Sequence, residues 1–133
     1  MATIVDDTAT QTPELSLFHG PTDTPLLELS LADFLDSQCE HYGEQECVIT
    51  PWTRSRWTYN DLRRHSLHLA RYIQARGIRP GDRVGILAGN RVEYASVFFA
   101  CMRVGAILVI LNNTYTISEA RYALQYSGAS VID

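Results

Sequence analysis

From Ser30 onward the hydrophobic positions of the chain switch between helical and strand-like periods, and the switches fall at capping and turn residues. Leu31, Phe34, Leu35 and Cys39 recur at helical spacing behind Ser30, with Asp33 at the capping-box position. That predicts a helix to about His41, stopped before Gly43. Cys47 to Thr50 and Arg56 to Thr58 are short β-prone runs separated by Pro51 to Ser55, the pattern of a hairpin, with Trp57 as its anchor. Thr58 and Asp61 form a second capping signal. Leu62, Leu69, Ala70 and Ile73 then make the apolar stripe of a helix running to about Arg76, where Gly77 supplies the stop.

The second half alternates more regularly. Pro80-Gly81 turns the chain into an apolar strand, Arg83 to Leu87, and Asn90 with Glu93 predicts the next helix start. Val92, Ala95, Phe98, Phe99, Met102 and Val104 spread over more than one side of that helix, so it expects several neighbours. Gly105 ends it, Ile107 to Leu111 is a second apolar strand, and Asn112 to Tyr115 is a loop. Thr116 and Glu119 then open a fourth helix that ends near Gly128, before a third strand over Ser130 to Asp133. The order β-α-β-α-β implies right-handed crossovers and a parallel sheet buried on both faces. The fold class expected is α/β, a partial doubly wound sheet preceded by a helix and a hairpin. Residues 1–24, rich in Thr, Asp and Pro, are expected to form a flexible arm, and residues 25–133 an incomplete domain.

Composition narrows the chemistry. Ten acids and no Arg or Lys fall in residues 1–53, while all eleven Arg and only five acids fall in residues 54–133. The Arg are scattered over helices and turns without stacking aromatics beside them, so no nucleic-acid partner is expected and internal neutralisation is. There is no Lys anywhere, which removes the residue that a P-loop needs. Cys39, Cys47 and Cys101 form no C-x-x-C pair, so neither a disulfide framework nor a zinc site is expected, and an intracellular, reducing compartment fits, with the organelle unspecified. Tyr94 to Leu111 approaches membrane-spanning length, but Arg103 and Gly105 interrupt it, so no span is expected.

Candidate sites are few. The turn Ala88-Gly89-Asn90 puts a helix start at the carboxyl end of a parallel strand, where open α/β sheets bind anions, but no G-x-G-x-x-G accompanies it. His65 and His68 are three residues apart with no third ligand in reach, and no cysteine is placed beside a histidine. No catalytic residue and no metal ligand is assigned.

Three segments together resemble the N-terminal region of the adenylate-forming (AMP-binding) acyl-CoA synthetase family: Trp57 to Leu62, Gly77 to Ile86, and Gly105 to Tyr115. Their order and spacing match, as does Ser127-Gly128-Ala129, and the likeness covers about residues 28–133. His19-Gly20-Pro21 and Thr24 to Leu27 look like the lead-in of the medium-chain fatty acyl-CoA synthetase branch. The resemblance implies a ligase that joins a carboxylic (fatty) acid to CoA through an acyl-adenylate, using ATP and Mg²⁺ and releasing AMP and pyrophosphate. It also implies that the ATP-binding loop and the adenylation lysine lie beyond Asp133. A truncated chain, inactive alone and binding none of ATP, Mg²⁺ or CoA well, is therefore expected.

One site carries over from the family. Its loop after the second core strand lies toward the CoA entrance, which here is Asn112, Asn113, Thr114 and Tyr115. Relatives commonly have Asn-Pro where this chain has Asn112-Asn113, so the loop's shape departs from the pattern. Two other readings stay open: a non-catalytic interaction module or complementing fragment, associating through an open sheet edge, and a membrane-anchored piece.

Overall fold

Helix α1 (Leu31–Tyr42) begins where the Ser30 backbone is still extended, and the Ser30 hydroxyl takes the Asp33 N–H at 3.1 Å. The computed structural model describes residues 20–21 and 23–130; most of the expected arm, His19 and the stretch Val131 to Asp133 lie outside the described residues. Strands β1 (Glu46–Thr50) and β2 (Ser55–Thr58) pair antiparallel, with Thr50 opposite Ser55 and an irregularity between Glu46 and Val48. Their connection contains a 3₁₀ turn at Pro51–Thr53 and closes with Arg54 in the left-handed region.

Helix α2 (Tyr59–Ala75) opens on a complete capping box between Thr58 and Asp61. It buries Leu62, Ser66, Ala70 and Ile73, with Leu69 half-buried. Strands β3 (Arg83–Leu87) and β4 (Ile107–Leu111) pair parallel in full register, Arg83 with Ile107 through Leu87 with Leu111. The crossover between them is α3 (Val92–Val104), which ends at Gly105 with φ of +75°. Helix α4 (Ile117–Ser127) follows β4, capped by Thr116 and Glu119.

One prediction needs correction. Helix α3 starts one residue later than predicted, with Arg91 and not Asn90 at the N-cap and no side-chain cap bond. The Trp52 indole N–H donates to the Asn90 carbonyl at 3.1 Å, which keeps Asn90 in the turn. Glu93 therefore meets Arg91 Nε at 3.4 Å instead of completing a box. Of the expected third strand only Ser130 lies among the described residues, and it makes a parallel bridge to Val84, its N–H donating to the Arg83 carbonyl at 2.8 Å. Ser130 lies on the side of β3 opposite β4.

The core sits on one face of this sheet. Ala70 and Ile73 of α2, Val84 of β3, and Ala100, Cys101 and Val104 of α3 form one cluster with Ala106, and its small residues let the two helices approach closely. A second cluster, Leu35, Cys39 and Leu62, is covered by Cys47, Val48, Trp57, Tyr59, Ala95 and Phe99. Between them Arg103, only 10% exposed, makes a bidentate bond to Asp36 (2.6 and 2.9 Å) and donates through Nε to Ser66 Oγ at 3.1 Å. Arg63 joins the same carboxylate at 3.2 Å, so α1, α2 and α3 are tied at one point. The opposite face of β3 receives α4: a Cβ at Gly85 would come within 3.1 Å of Leu124 Cδ2. Helices thus lie on both faces, the beginning of a doubly wound arrangement.

Candidate functional site

The loop Asn112–Tyr115 leaves the carboxyl end of β4 beside the end of β3, since Leu87 and Leu111 are register partners. Its shape is set by its own side chains. Asn112 Oδ1 accepts from the Thr114 N–H at 3.0 Å and from the Thr114 hydroxyl at 2.9 Å, and Tyr115 N–H donates to the Asn112 carbonyl at 3.0 Å. Asn112 and Thr114 are therefore engaged in holding the turn. Asn113 and Tyr115 are left facing solvent, and Asn113 Nδ2 lies 3.7 Å from where a Cβ on Gly89 would stand. The two loops that follow β3 and β4 thus meet, which is the place where a parallel sheet offers a ligand crevice.

Behind the loop, Tyr115 joins Ser118, Glu119, Tyr122, Ala123 and Tyr126 around a groove of about 490 Å³. The Tyr122 and Tyr126 rings stack with centroids 5.8 Å apart and planes 19° from parallel. These two tyrosines are absent from the sequence-derived site. Their spacing of four residues, continuing from Tyr115 along one helix face, is the signal that could have found them. Glu119 is the groove's one ionisable acid, and the Thr116 backbone N–H, then the Thr116 hydroxyl, hold its carboxyl below the usual range. It is committed to the cap. The site can bind by shape, stacking and amide hydrogen bonds, but it brings no nucleophile or base to a reacting atom.

The residues present do not fit ATP phosphates. The Ala88-Gly89-Asn90 turn places Glu93 in the first turn of α3, where a phosphate would have to sit, and its Arg91 is paired to that carboxylate. Among the described residues no group of three His, Cys, Asp or Glu converges as a metal cluster would. His65 instead stacks on Trp57, centroids 4.2 Å apart and planes 6° from parallel, while His68 points to the α2 surface. Cys39 and Cys101 are buried and Cys47 is half-buried. Burial pushes all three thiols up, so none is an activated nucleophile. Among the described residues no helix is long and apolar enough to cross a membrane.

A second concavity, about 460 Å³, runs along the outer edge of β3 between Leu69, Tyr72 and Ile73 on one side and Ala120 and Leu124 on the other. It is apolar and carries no charged lining residue.

Over residues 35–132 the chain matches the family described as AMP-binding enzyme. The acyl-CoA ligase sidI of Beauveria bassiana is 52% identical over 130 residues, covering 98% of this chain and 23% of that protein. The acyl-CoA ligase SID4 of Ajellomyces capsulatus is 50% identical over 118 residues, covering 89% of this chain and 20% of that protein. The crystal structure of the N-terminal domain of FACL13 from Mycobacterium tuberculosis has a TM-score of 0.74 at 27% identity, over 77% of this chain and 26% of that one. The chain thus spans about a fifth to a quarter of the curated relatives it matches.

Proposed function

The chain belongs to the AMP-binding enzyme family, and from that premise we propose that it forms the opening part of the large domain of an acyl-CoA ligase. In that role the whole ligase converts a carboxylic acid, ATP and CoA to acyl-CoA, AMP and pyrophosphate by way of an acyl-adenylate. This stretch supplies scaffold for the reaction and one ligand contact, the loop Asn112–Tyr115 at the CoA entrance. The adenylation lysine that the family resemblance implies is carried elsewhere in the ligase, because this stretch contains no Lys. The observation that supports the assignment most directly is the exposed Asn113 and Tyr115 at the carboxyl edge of a parallel sheet, held by the Asn112–Thr114 turn.

The test is a chimera in which these residues replace the corresponding stretch of the 52% identical ligase. Tyr115→Ala and Asn113→Ala are expected to raise KM for CoA about tenfold, the loss of one or two good contacts, with acid-dependent ATP–pyrophosphate exchange unchanged. Lost exchange with an unchanged KM for CoA would refute the placement of this loop. The chain alone is expected to release no pyrophosphate from ATP, a carboxylic acid and CoA. Release that a point substitution destroys would overturn that expectation.

The second reading, a partner-binding module, is favoured by one feature: the outer edge of β3 is met only at Ser130 among the described residues, with Leu87 mostly exposed beside an apolar trough. A strand from another polypeptide could add there. Sedimentation showing a monomer without dye-binding apolar surface would count against it.

A further inference from the structure

The outer face of α2 carries Asn60, Arg64, Leu67, His68 and Arg71, which at helical spacing form one stripe about 17 Å long. With Arg63 beside them they line a shallow groove of about 380 Å³, and every titratable group in it is a base. Two acids beside it are engaged. Asp36 is held by Arg103 and Arg63, and Asp61 serves the helix cap and Arg64. Arg71 and His68 have no hydrogen-bond or ion-pair partner among the described residues.

The helix already displays what this side of it recognises. Asn60 Nδ2 donates to Glu44 Oε1 at 2.8 Å and Arg63 Nε meets Asp36 Oδ1 at 3.2 Å. Both carboxylates come from α1 or the residues just past its end, so the α1 side of the groove is met by acids, while on the far side Arg64 is held only by its own-helix neighbour Asp61, and His68 and Arg71 meet no acid among the described residues.

We propose that the Arg64–His68–Arg71 border docks a second acidic helix, supplied by a partner protein, with carboxylates repeating at i, i+4 and i+7 and an apolar residue set against Leu67. The groove is lined by no Phe, Tyr or Trp on which bases could stack, and its one ring, His68, is a small platform, which disfavours single-stranded nucleic acid. A second copy of this chain is a poorer occupant, because on α1 Asp33 is bound to Ser30 and Asp36 is in the core network, leaving Glu40 as the helix's one uncommitted acid. This inference stands apart from the ligase reading, since no CoA or acyl contact enters it.

The experiment measures fluorescence anisotropy of a labelled synthetic helical peptide carrying Glu at i, i+4, i+7 and i+11 around a Leu. An isomer with the same composition but its Glu residues spread around the helix, and a single-stranded DNA of similar charge, serve as competing probes. The ordered peptide is expected to bind about tenfold more tightly than the isomer and to weaken with added salt. Arg71→Glu and His68→Glu should each abolish the preference with unchanged far-ultraviolet circular dichroism, whereas Arg121→Glu on α4 should leave it intact. Equal binding of the isomer, tighter binding of the DNA, or salt-sensitive self-association that Arg71→Glu removes would each overturn the proposal.

Discussion

Helices α2 and α4 begin alike, each behind a threonine whose hydroxyl takes the N3 amide while the N3 carboxylate returns to the threonine N–H. They end very differently in what they bury. On α2, Leu62, Ser66, Ala70 and Ile73 are all inside, and the helix is joined to α3 and α1 by apolar contact and by the Arg103–Ser66 and Arg63–Asp36 bonds. On α4 no residue is fully buried, and Ile117, Tyr122 and Tyr126 stand 81%, 67% and 83% exposed. A capping box decides where a helix starts; what surrounds the helix decides how much it contributes to the fold. Family membership gives the contrast its meaning, since in a ligase four to five times this length the α4 face has further chain available to cover it.

The sharpest break of the contrast is a cavity on the α2 side. Ile73, 1% exposed, packs among Val84, Ala100, Cys101 and Val104, so Ile73→Ala is expected to cost about 3–4 kcal/mol, transfer plus cavity. Urea unfolding of the chain checks it. A loss below about 1 kcal/mol would mean that this face is not the main core.

Next comes the ion pair. Asp36→Ala leaves the Arg103 guanidinium nearly buried without its carboxylate, an expected cost of about 2–3 kcal/mol, whereas Arg103→Met, which removes the charge, should cost less. The hydrogen bond from Arg103, opposed by desolvation and aided by the Arg103 and Arg63 charges, holds the Asp36 carboxyl below its usual range. A depressed carboxyl contributes stability above the unfolded pKa of about 4 and loses it as pH falls through the depressed folded value. The wild-type urea midpoint should therefore drop on acidification below about pH 4, and Asp36→Asn should flatten that part of the drop. An unchanged acid limb in Asp36→Asn would remove Asp36 from the account.

What could be read from the sequence divides along the same line. The bounds of β3 and β4 were legible because apolar runs of strand length are punctuated by Pro80-Gly81 and Gly105, and the starts of α1, α2 and α4 because Ser or Thr stands three residues before Asp or Glu. These are local signals. Arg103, Asp36 and Ser66 were not legible as a unit, since their bonds span 67 and 37 residues. The start of α3 failed for the same reason: the Trp52 ring that claims the Asn90 carbonyl lies 38 residues away. The strand–loop–helix order placed Asn112–Tyr115 as a loop, and its choice as a candidate site came from the family resemblance alone. Its division of labour, Asn112 and Thr114 inward to the turn and Asn113 and Tyr115 outward, depends on side-chain bonds that spacing does not specify.

The two capping boxes allow a matched pair of substitutions. Thr58→Ala and Thr116→Ala each remove a hydroxyl that accepts an N3 amide, worth about 1 kcal/mol in either helix. The loss should appear in different places. At Thr58 it is transmitted through Leu62 and Ser66 to the core and lowers global stability. At Thr116 it is expected to speed amide hydrogen exchange in α4 alone, with the urea midpoint little changed. Equal shifts of the midpoint for both would mean that α4 is coupled to the fold as firmly as α2.

The smallest effect is expected at Tyr126. Its ring is 83% exposed and touches Tyr122, so Tyr126→Ala should change the stability of this chain by no more than about 0.5 kcal/mol. In the chimeric ligase the same substitution tests what the tyrosine face is for. If further chain covers α4 there, Tyr126 becomes buried and its truncation costs about 3 kcal/mol, as a buried aromatic does. The difference between the two settings, and not either value alone, measures how much of the α4 face is an interior surface. A cost in the chimera as small as in the isolated chain would make the Tyr122–Tyr126 stack a solvent-facing platform, and would move it beside Tyr115 among the proposed ligand contacts.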